Sequence, residues 1–565
     1  MPEKIRAYLN EHTNPPVFIT SGLVMIMLVA LAVAFPSRFG KIANDIQDFI
    51  TTYFGWFYIL GTTFILVFVV LLMFSRYGRI RLGPDDAKPD YATWPWVCMM
   101  FTAGMGIGLV YYSVAEPIAH FKNPPLAAGG TEQAAVIAMN YTIFHWGLHP
   151  WALYSLLGLA LGYFSFRKGL PLKPAAAFYP LLGDRIYGPA GHGIDILAVF
   201  GTLFGLATSI GFGATQITAG LNVLFGIPSN LTVQLLVIAT VEAVAITSIM
   251  LGIDAGIRRL SVINMWLAIG LCAFVFALGP TLHILNSIVS DTGYYLQHLP
   301  QTSLTVFPNG PGAEFQATWT LFYWGWWISW SPFVGMFIAR ISYGYTIRQL
   351  IAGTLLIPTG ASIVWFVVFG RTALEALLDD GGNQALLTAS APKAIFVLLE
   401  QLPVTGLIAV TAAVVTITVV TLFFATSSDS GSLVVDILTN GGDPHPIWQQ
   451  RLFWAVMEGL IAAVLLIAGA ATGGDALGAL QTGAVTTGLP FCAVLLLMCY
   501  TLYKALSQEQ LPNRISMVDD RSESEESSST CGARGQAPEQ PTRRPRPEPG
   551  EKAGQSTNSA TRRGR

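Results

Sequence analysis

Charge is scarce in this sequence. Asp, Glu, Lys and Arg make up 11% of its 565 residues, against roughly 25% in a soluble protein. That excludes an ordinary soluble surface, and a formal net charge of −2 leaves no basic field for a nucleic-acid partner. Cysteine is sparse too. Cys98, Cys272, Cys492 and Cys499 lie in apolar segments without metal-ligand spacing, where thiols behave as small hydrophobes, and Cys531 stands alone in a polar stretch. The notable acids at membrane depth are Glu116, Glu242, Asp429 and Glu458. No nucleophile, metal cluster or nucleotide motif accompanies them, so nothing points to an enzyme, and no cofactor is expected.

What the chain has is hydrophobicity, 53% apolar residues with a mean hydropathy of +0.54. Runs such as Val17–Ala34, Ile59–Met73, Leu231–Met250 and Ala455–Ala470 approach the ~20 residues a helix needs to cross a bilayer core of about 30 Å. They lack the two-residue alternation of a barrel, so the fold class is an all-α bundle in a lipid bilayer. The pattern predicts twelve spans, at 17–36, 53–75, 93–117, 135–164, 194–222, 230–251, 260–280, 316–338, 349–370, 404–436, 452–472 and 478–503. An even number puts both termini on one side. Loops on that side carry fifteen Lys and Arg residues against five on the other, which predicts cytoplasmic termini in a plasma-membrane protein. The first apolar run lacks a small-residue cleavage site and reads as a retained span.

Ser287–Leu299 is too short and polar to cross. It predicts an interfacial helix on the outer face, with Tyr294 and Tyr295 in the headgroup zone. The expected organisation is a cytoplasmic N-terminus over 1–16, two helices over 17–92, a core over 93–505 and a tail over 506–565. The tail is rich in Ser, Pro, Glu and Arg and cannot bury enough apolar surface to fold alone.

Two segments break the pattern of plain spanning helices. Ala103–Gly108, AGMGIG, sets three glycines on alternate positions of the third span. Each glycine costs about 1 kcal/mol in a helix interior, so the run predicts an unwound stretch, with tight small-residue packing as the alternative. Thr426–Ser432, TSSDSGS, gathers hydroxyls around Asp429 in the tenth span, where polar clusters face a cavity or an ion path, or serve only structural hydrogen bonds.

Five of fourteen tryptophans fall in Trp319–Trp330. At about 100° per residue, Trp326, Trp330 and Trp327 share one side of a helix. An interfacial belt needs rings at a helix end, whereas these stand mid-helix ahead of Pro332. A face of indoles suits a methylated ammonium, which has no proton to donate and is held by ring quadrupoles. The fourth span offers Trp146, Tyr154 and Trp151 within one arc, flanked by His145 and His149, which read as structural.

The stretches AGMGIGLVYYSVAEP (Ala103–Pro117), FGLATSIGFGATQI (Phe204–Ile217), HWGLHPWALY (His145–Tyr154) and FYWGWWISWSPFVGMFIARIS (Phe322–Ser342) resemble the betaine/carnitine/choline transporter family. The resemblance implies two extra N-terminal helices before two inverted five-helix repeats, alternating access around a mid-membrane site, and a homotrimer. It implies substrate contacts from Trp146, Trp151, Tyr154, Trp326, Trp327, Trp330 and Phe333, and backbone amides at Gly104, Gly106 and Gly108 for a carboxylate. It implies a sodium ion at Thr102, Met105, Thr426 and Ser427, and a second near Thr208 or Ser209.

Proton-coupled choline members carry an aspartate where this chain has Gly108. Sodium-independent exchangers carry an arginine on the fifth span, where Ala198–Leu221 has none, and a methionine where Val334 stands. These differences imply sodium symport of glycine betaine, a compatible solute, for osmoprotection. Choline with protons, ectoine, proline or dimethylsulfoniopropionate are the rival cargoes, and a channel or a non-transporting osmosensor the rival class. Tyr343 and Tyr345 stand where relatives carry further arginines of an inner gate.

Overall fold

The computed structural model describes residues 8–9, 11–104, 106–251, 254–379, 383–445, 447–472 and 477–509; the side chains at 98, 101–104, 251 and 254–259 lie outside that description, as does the predicted tail beyond 509. Among the described residues the fold is all helix, its one bridge joining Arg81 to Thr346. Two N-terminal helices, α1 (Pro15–Ala34) and α2 (Pro36–Phe74), are followed by α3 (Thr93–Gly104), α4 (Ile107–Lys122), α5 (Glu132–Trp146) and α6 (Leu148–Gly162). Next come α7 (Pro189–Phe225), α8 (Leu231–Leu251), α9 (Asp254–Leu278), α10 (Thr281–Leu304) and α11 (Leu321–Ile341). The last four are α12 (Ile347–Phe366), α13 (Gly406–Thr439), α14 (Trp448–Ala471) and α15 (Gly478–Ser507).

Nine helices among the described residues are long and apolar enough to cross a membrane. The predicted spans missing from that set, 93–117, 135–164 and 316–338, are assembled from pieces. Extended backbone at Gly106 (φ −130°, ψ −156°) separates α3 from α4, as the glycine run predicts. Gly147 (φ −96°, ψ −130°) separates α5 from α6, a break that the sequence pattern does not announce. A π-helical turn, Gln316–Thr320, leads into α11. The outward faces of α1 and α2 expose Leu23, Met27, Leu60 and Leu71, whereas α7 is buried over most of its length against α11, α13, α14 and α15.

Two expectations need correction. The predicted loop ahead of span two is helical: α2 starts at Pro36, whose fixed φ suits a first helical turn. The helix expected over Ser287–Leu299 is the longer α10, and Tyr295 on it is buried, its hydroxyl accepting the N–H of Leu148 (3.2 Å) that the Gly147 break sets free. Tyr294 is half-buried and stacks on His298, ring centroids 3.8 Å apart. TSSDSGS lies within one continuous helix. α13 runs unbroken through it, with Thr426 donating to the Leu422 carbonyl (2.7 Å) and Ser432 to that of Asp429 (2.9 Å).

Where α11 crosses α15 the backbones nearly touch. A Cβ on Gly325 would lie 2.7 Å from Val485 Cα, and one on Gly488 2.7 Å from the Gly325 carbonyl oxygen. Small residues of this kind let membrane helices approach. At the end where α6 and α15 finish, Glu509 accepts from Tyr163 (2.8 Å) and pairs with Arg167 (3.1 Å) and Lys168 (2.5 Å); Arg167 also pairs with Asp85 (2.8 Å) of the loop after α2. Burial pushes the Glu509 carboxyl up, but its bonds to Arg167, Lys168 and Tyr163 outweigh this and hold it at about 2.

Gly325→Val forces α11 and α15 apart, and overpacking of this kind costs about 1–3 kcal/mol. The expected outcome is a melting temperature in detergent below that of the unaltered protein.

Glu509→Gln tests the other end. The depressed carboxyl stabilises the fold above its ordinary value near 4.5, and that contribution is lost as pH falls through about 2. The variant therefore melts below the unaltered protein at neutral pH, and the gap narrows as the pH is taken below about 4.5.

Candidate functional site

The break at Gly106 starts α4 inside the bundle, and its first turn delivers Gly108 to the aromatic residues. A Cβ there would lie 2.5 Å from Trp326 Cη2 and 2.9 Å from Trp146 Cη2, so only a hydrogen fits between those indoles. Gly205 of α7 plays the same part for Trp330, whose backbone and ring lie 3.2–3.3 Å from a Cβ placed there.

All seven aromatic residues named from the sequence belong to one connected set. Trp326 and Trp327 stack with ring centroids 4.5 Å apart and planes 15° apart. Trp330 meets Trp326 edge-on at 6.4 Å, and Phe333 meets Trp330 at 5.3 Å. Trp146 lies 4.9 Å from Trp327, Tyr154 lies 6.5 Å from Trp327, and Trp151 lies 5.4 Å from Tyr154. Every one of them is buried. The helical-arc argument for Trp146, Trp151 and Tyr154 assumes one continuous helix. Gly147 interrupts it, and α5 and α6 instead supply the rings from two separate pieces. Trp324 belongs elsewhere, stacked on His149 at 5.2 Å.

Beneath Trp146 lies a polar network that sequence reasoning does not assemble. Glu116 Oε2 accepts from Trp146 Nε1 (2.8 Å) and from the Tyr323 hydroxyl. Its Oε1 accepts from His145 Nδ1 (2.7 Å) and His120 Nε2 (3.1 Å). With the carboxylate as acceptor, the hydrogen of His145 sits on Nδ1, so its Nε2 accepts from the Thr320 hydroxyl (2.9 Å) when the ring is neutral. The His145 carbonyl accepts from Trp327 Nε1 (2.8 Å). Glu116, His120 and His145 bring ligand atoms within 4.8 Å of one another, a donor set of transition-metal type, but the carboxylate oxygens are already engaged by four donors. The signal available in the sequence is Glu116 and His120 four residues apart on one helical face. The reading of His145 rests on a bond to neighbouring backbone, whereas its ring partners are the Glu116 carboxylate and the Thr320 hydroxyl.

The residues named for sodium are only partly described. Met105 and the side chain of Thr102 lie outside the described residues, and Gly104 is the last residue of α3. Thr426 donates its hydroxyl hydrogen to Leu422, leaving oxygen lone pairs, and Ser427 beside it is half-buried. Thr208 bonds the carbonyls of Phe204 (2.8 Å) and of Leu480 in α15 (3.0 Å), and Ser209 is buried. A wide groove of about 560 Å³ lies elsewhere, lined by Met265, Phe276, Ile288 and Trp365 among others. Its lining is almost wholly apolar and offers nothing to orient a charged solute.

The sequence profile of betaine/carnitine/choline family transporters matches residues 16–511. The chain belongs to this family. It is similar to a glycine betaine transporter of Acinetobacter baylyi, 42% identical over 90% of this chain and 75% of that one. It is similar to a probable glycine betaine transporter of Desulfitobacterium hafniense, 40% identical over 89% of this chain and 99% of that one. A glycine betaine/proline/choline/ectoine transporter of Vibrio parahaemolyticus is 45% identical over 88% of this chain and 87% of that one. As a member of the family, the chain is a multi-pass membrane transport protein rather than an enzyme.

Gly108→Val puts branched carbon where Trp326 and Trp146 meet. The expected outcome is loss of quaternary-ammonium binding by on the order of tenfold or more, the equivalent of one displaced indole, measured by radioligand binding to purified protein.

Proposed function

We propose that this protein imports glycine betaine by sodium symport, with alternating access around the aromatic cage. The observation that carries the reading is the cage itself: seven aromatic residues in one buried set, closed against a glycine that leaves no room for a side chain. Indole faces attract a methylated ammonium more strongly as water is excluded. Glu116, on the far edge of the Trp146 indole, adds a negative potential without touching the ligand. Free amides at the start of α4, around Gly106 and Gly108, suit the betaine carboxylate, since a helix N-terminus favours an anion.

Sodium is the coupling ion in this reading, held by Thr426 and Ser427 of α13 with Thr102 and Met105 of the broken span, and a second ion lies near Thr208 or Ser209. A hydroxyl that donates to its own helix keeps lone pairs for a cation, as Thr426 and Thr208 do. Two inverted repeats over 93–505, two preceding helices, cytoplasmic termini, a cytoplasmic tail, a homotrimer and a role in osmoprotection complete the proposal. The names of the relatives, which include betaine, proline, choline and ectoine transporters, support a zwitterionic or cationic compatible solute as cargo.

Uptake of radiolabelled glycine betaine into proteoliposomes under an imposed sodium gradient tests this. Accumulation should require sodium, fall by on the order of tenfold in Trp330→Leu, and disappear in the double variant Thr426→Ala with Ser427→Ala. Uptake driven by a proton gradient alone would overturn the sodium assignment, and labelled choline or ectoine accumulating in place of betaine would overturn the cargo.

A further inference from the structure

Away from the cage, α8, α13 and α14 enclose two glutamates that pair with no cation among the described residues. Glu242 of α8 reaches across to α14, where its Oε1 would lie 3.6 Å from a Cβ on Gly459. The neighbouring residue, Glu458, is fully buried, and Glu242 is only 6% exposed. Ser428 of α13 donates its single hydroxyl hydrogen to Glu242 Oε2 (2.8 Å). That hydrogen cannot serve Glu458 as well, and both Glu458 oxygens, like Glu242 Oε1, accept no hydrogen bond among the described residues. Glu242 and Asp429 are the charges that act on Glu458.

The groups facing the pair do not neutralise it. On α13, Asp429 is taken by Arg451 of α14 (3.0 Å), and Asp436 lies two turns further along, towards Arg451. α7 has no ionisable residue between 196 and 225, and α1 has none at all. The charges of α2, Arg38, Lys41, Asp45 and Asp48, are all exposed in its first half, and Lys504 of α15 is spent on the Pro180 carbonyl (2.8 Å). Those of α9, Asp254, Arg258 and Arg259, lie outside the described side chains. Two ionised carboxylates in an apolar interior, one packed against the residue next to the other, repel each other and forfeit their hydration, so one of them must take up a cation. A proton needs only the two carboxyls to share it, converting one into the donor that the other lacks.

We propose that Glu242 and Glu458 form a proton-binding carboxyl pair, contiguous through Ser428 with the hydroxyl run of α13. The site gives transport a pH dependence separate from its coupling ion: the pair is neutralised when protonated, and rising pH strips the shared proton and drives α8 and α14 apart.

Dicyclohexylcarbodiimide, which reacts with protonated carboxyls in apolar surroundings, tests the site in the unaltered protein. Mass spectrometry of the digested product should find the label on Glu242 or Glu458, with a yield that falls about tenfold for each pH unit above the pair's titration. No label on either residue at any pH would overturn the proposal, and so would sodium that protects both at constant pH, by assigning them to the metal. Labelling needs no transport, so it stands or falls independently of the betaine reading. In proteoliposomes, Glu242→Gln with Glu458→Gln should flatten the pH profile of uptake while sodium dependence persists; a double variant with the unaltered pH profile would count against the pair just as firmly.

Discussion

Four donors converging on one carboxylate hold the centre of this protein together. Glu116 and His120 come from α4, His145 and Trp146 from α5, and Tyr323 from α11. A carboxylate buried at that depth is tolerable only when its oxygens are fully engaged, and the same bonds fix the indole of Trp146. Through the His145 carbonyl, which receives Trp327 Nε1, the network reaches the stacked pair on α11. The geometry of the aromatic set is therefore fixed from behind by hydrogen bonds.

Much of this was legible in the sequence because it depends on residue type. Tryptophans mid-helix, glycines on alternate positions and long apolar runs state their chemistry without reference to distant partners. The Glu116 network does not, since Glu116 and Tyr323 are 207 residues apart and no local pattern links them. The break at Gly147 was hidden for another reason: one glycine in an apolar segment is common, and only the Tyr295 hydroxyl on α10 reveals that the Leu148 amide has been released.

The hydroxyl run on α13 breaks the apolar pattern without breaking the helix. Serine and threonine can compete with helical hydrogen bonds, but here they back-bond within the helix and it continues. A polar cluster at membrane depth thus need not be an irregular one.

That continuity has a consequence for energy transfer. An ion held between the unbroken α13 and the interrupted α3–α4 segment, as proposed, would sit beside the turn that carries Gly106 and Gly108, the turn against which the indoles pack. Ion and solute would then strengthen each other's binding by the same factor, as linkage requires, with a stretch of three glycines acting as the clutch between them.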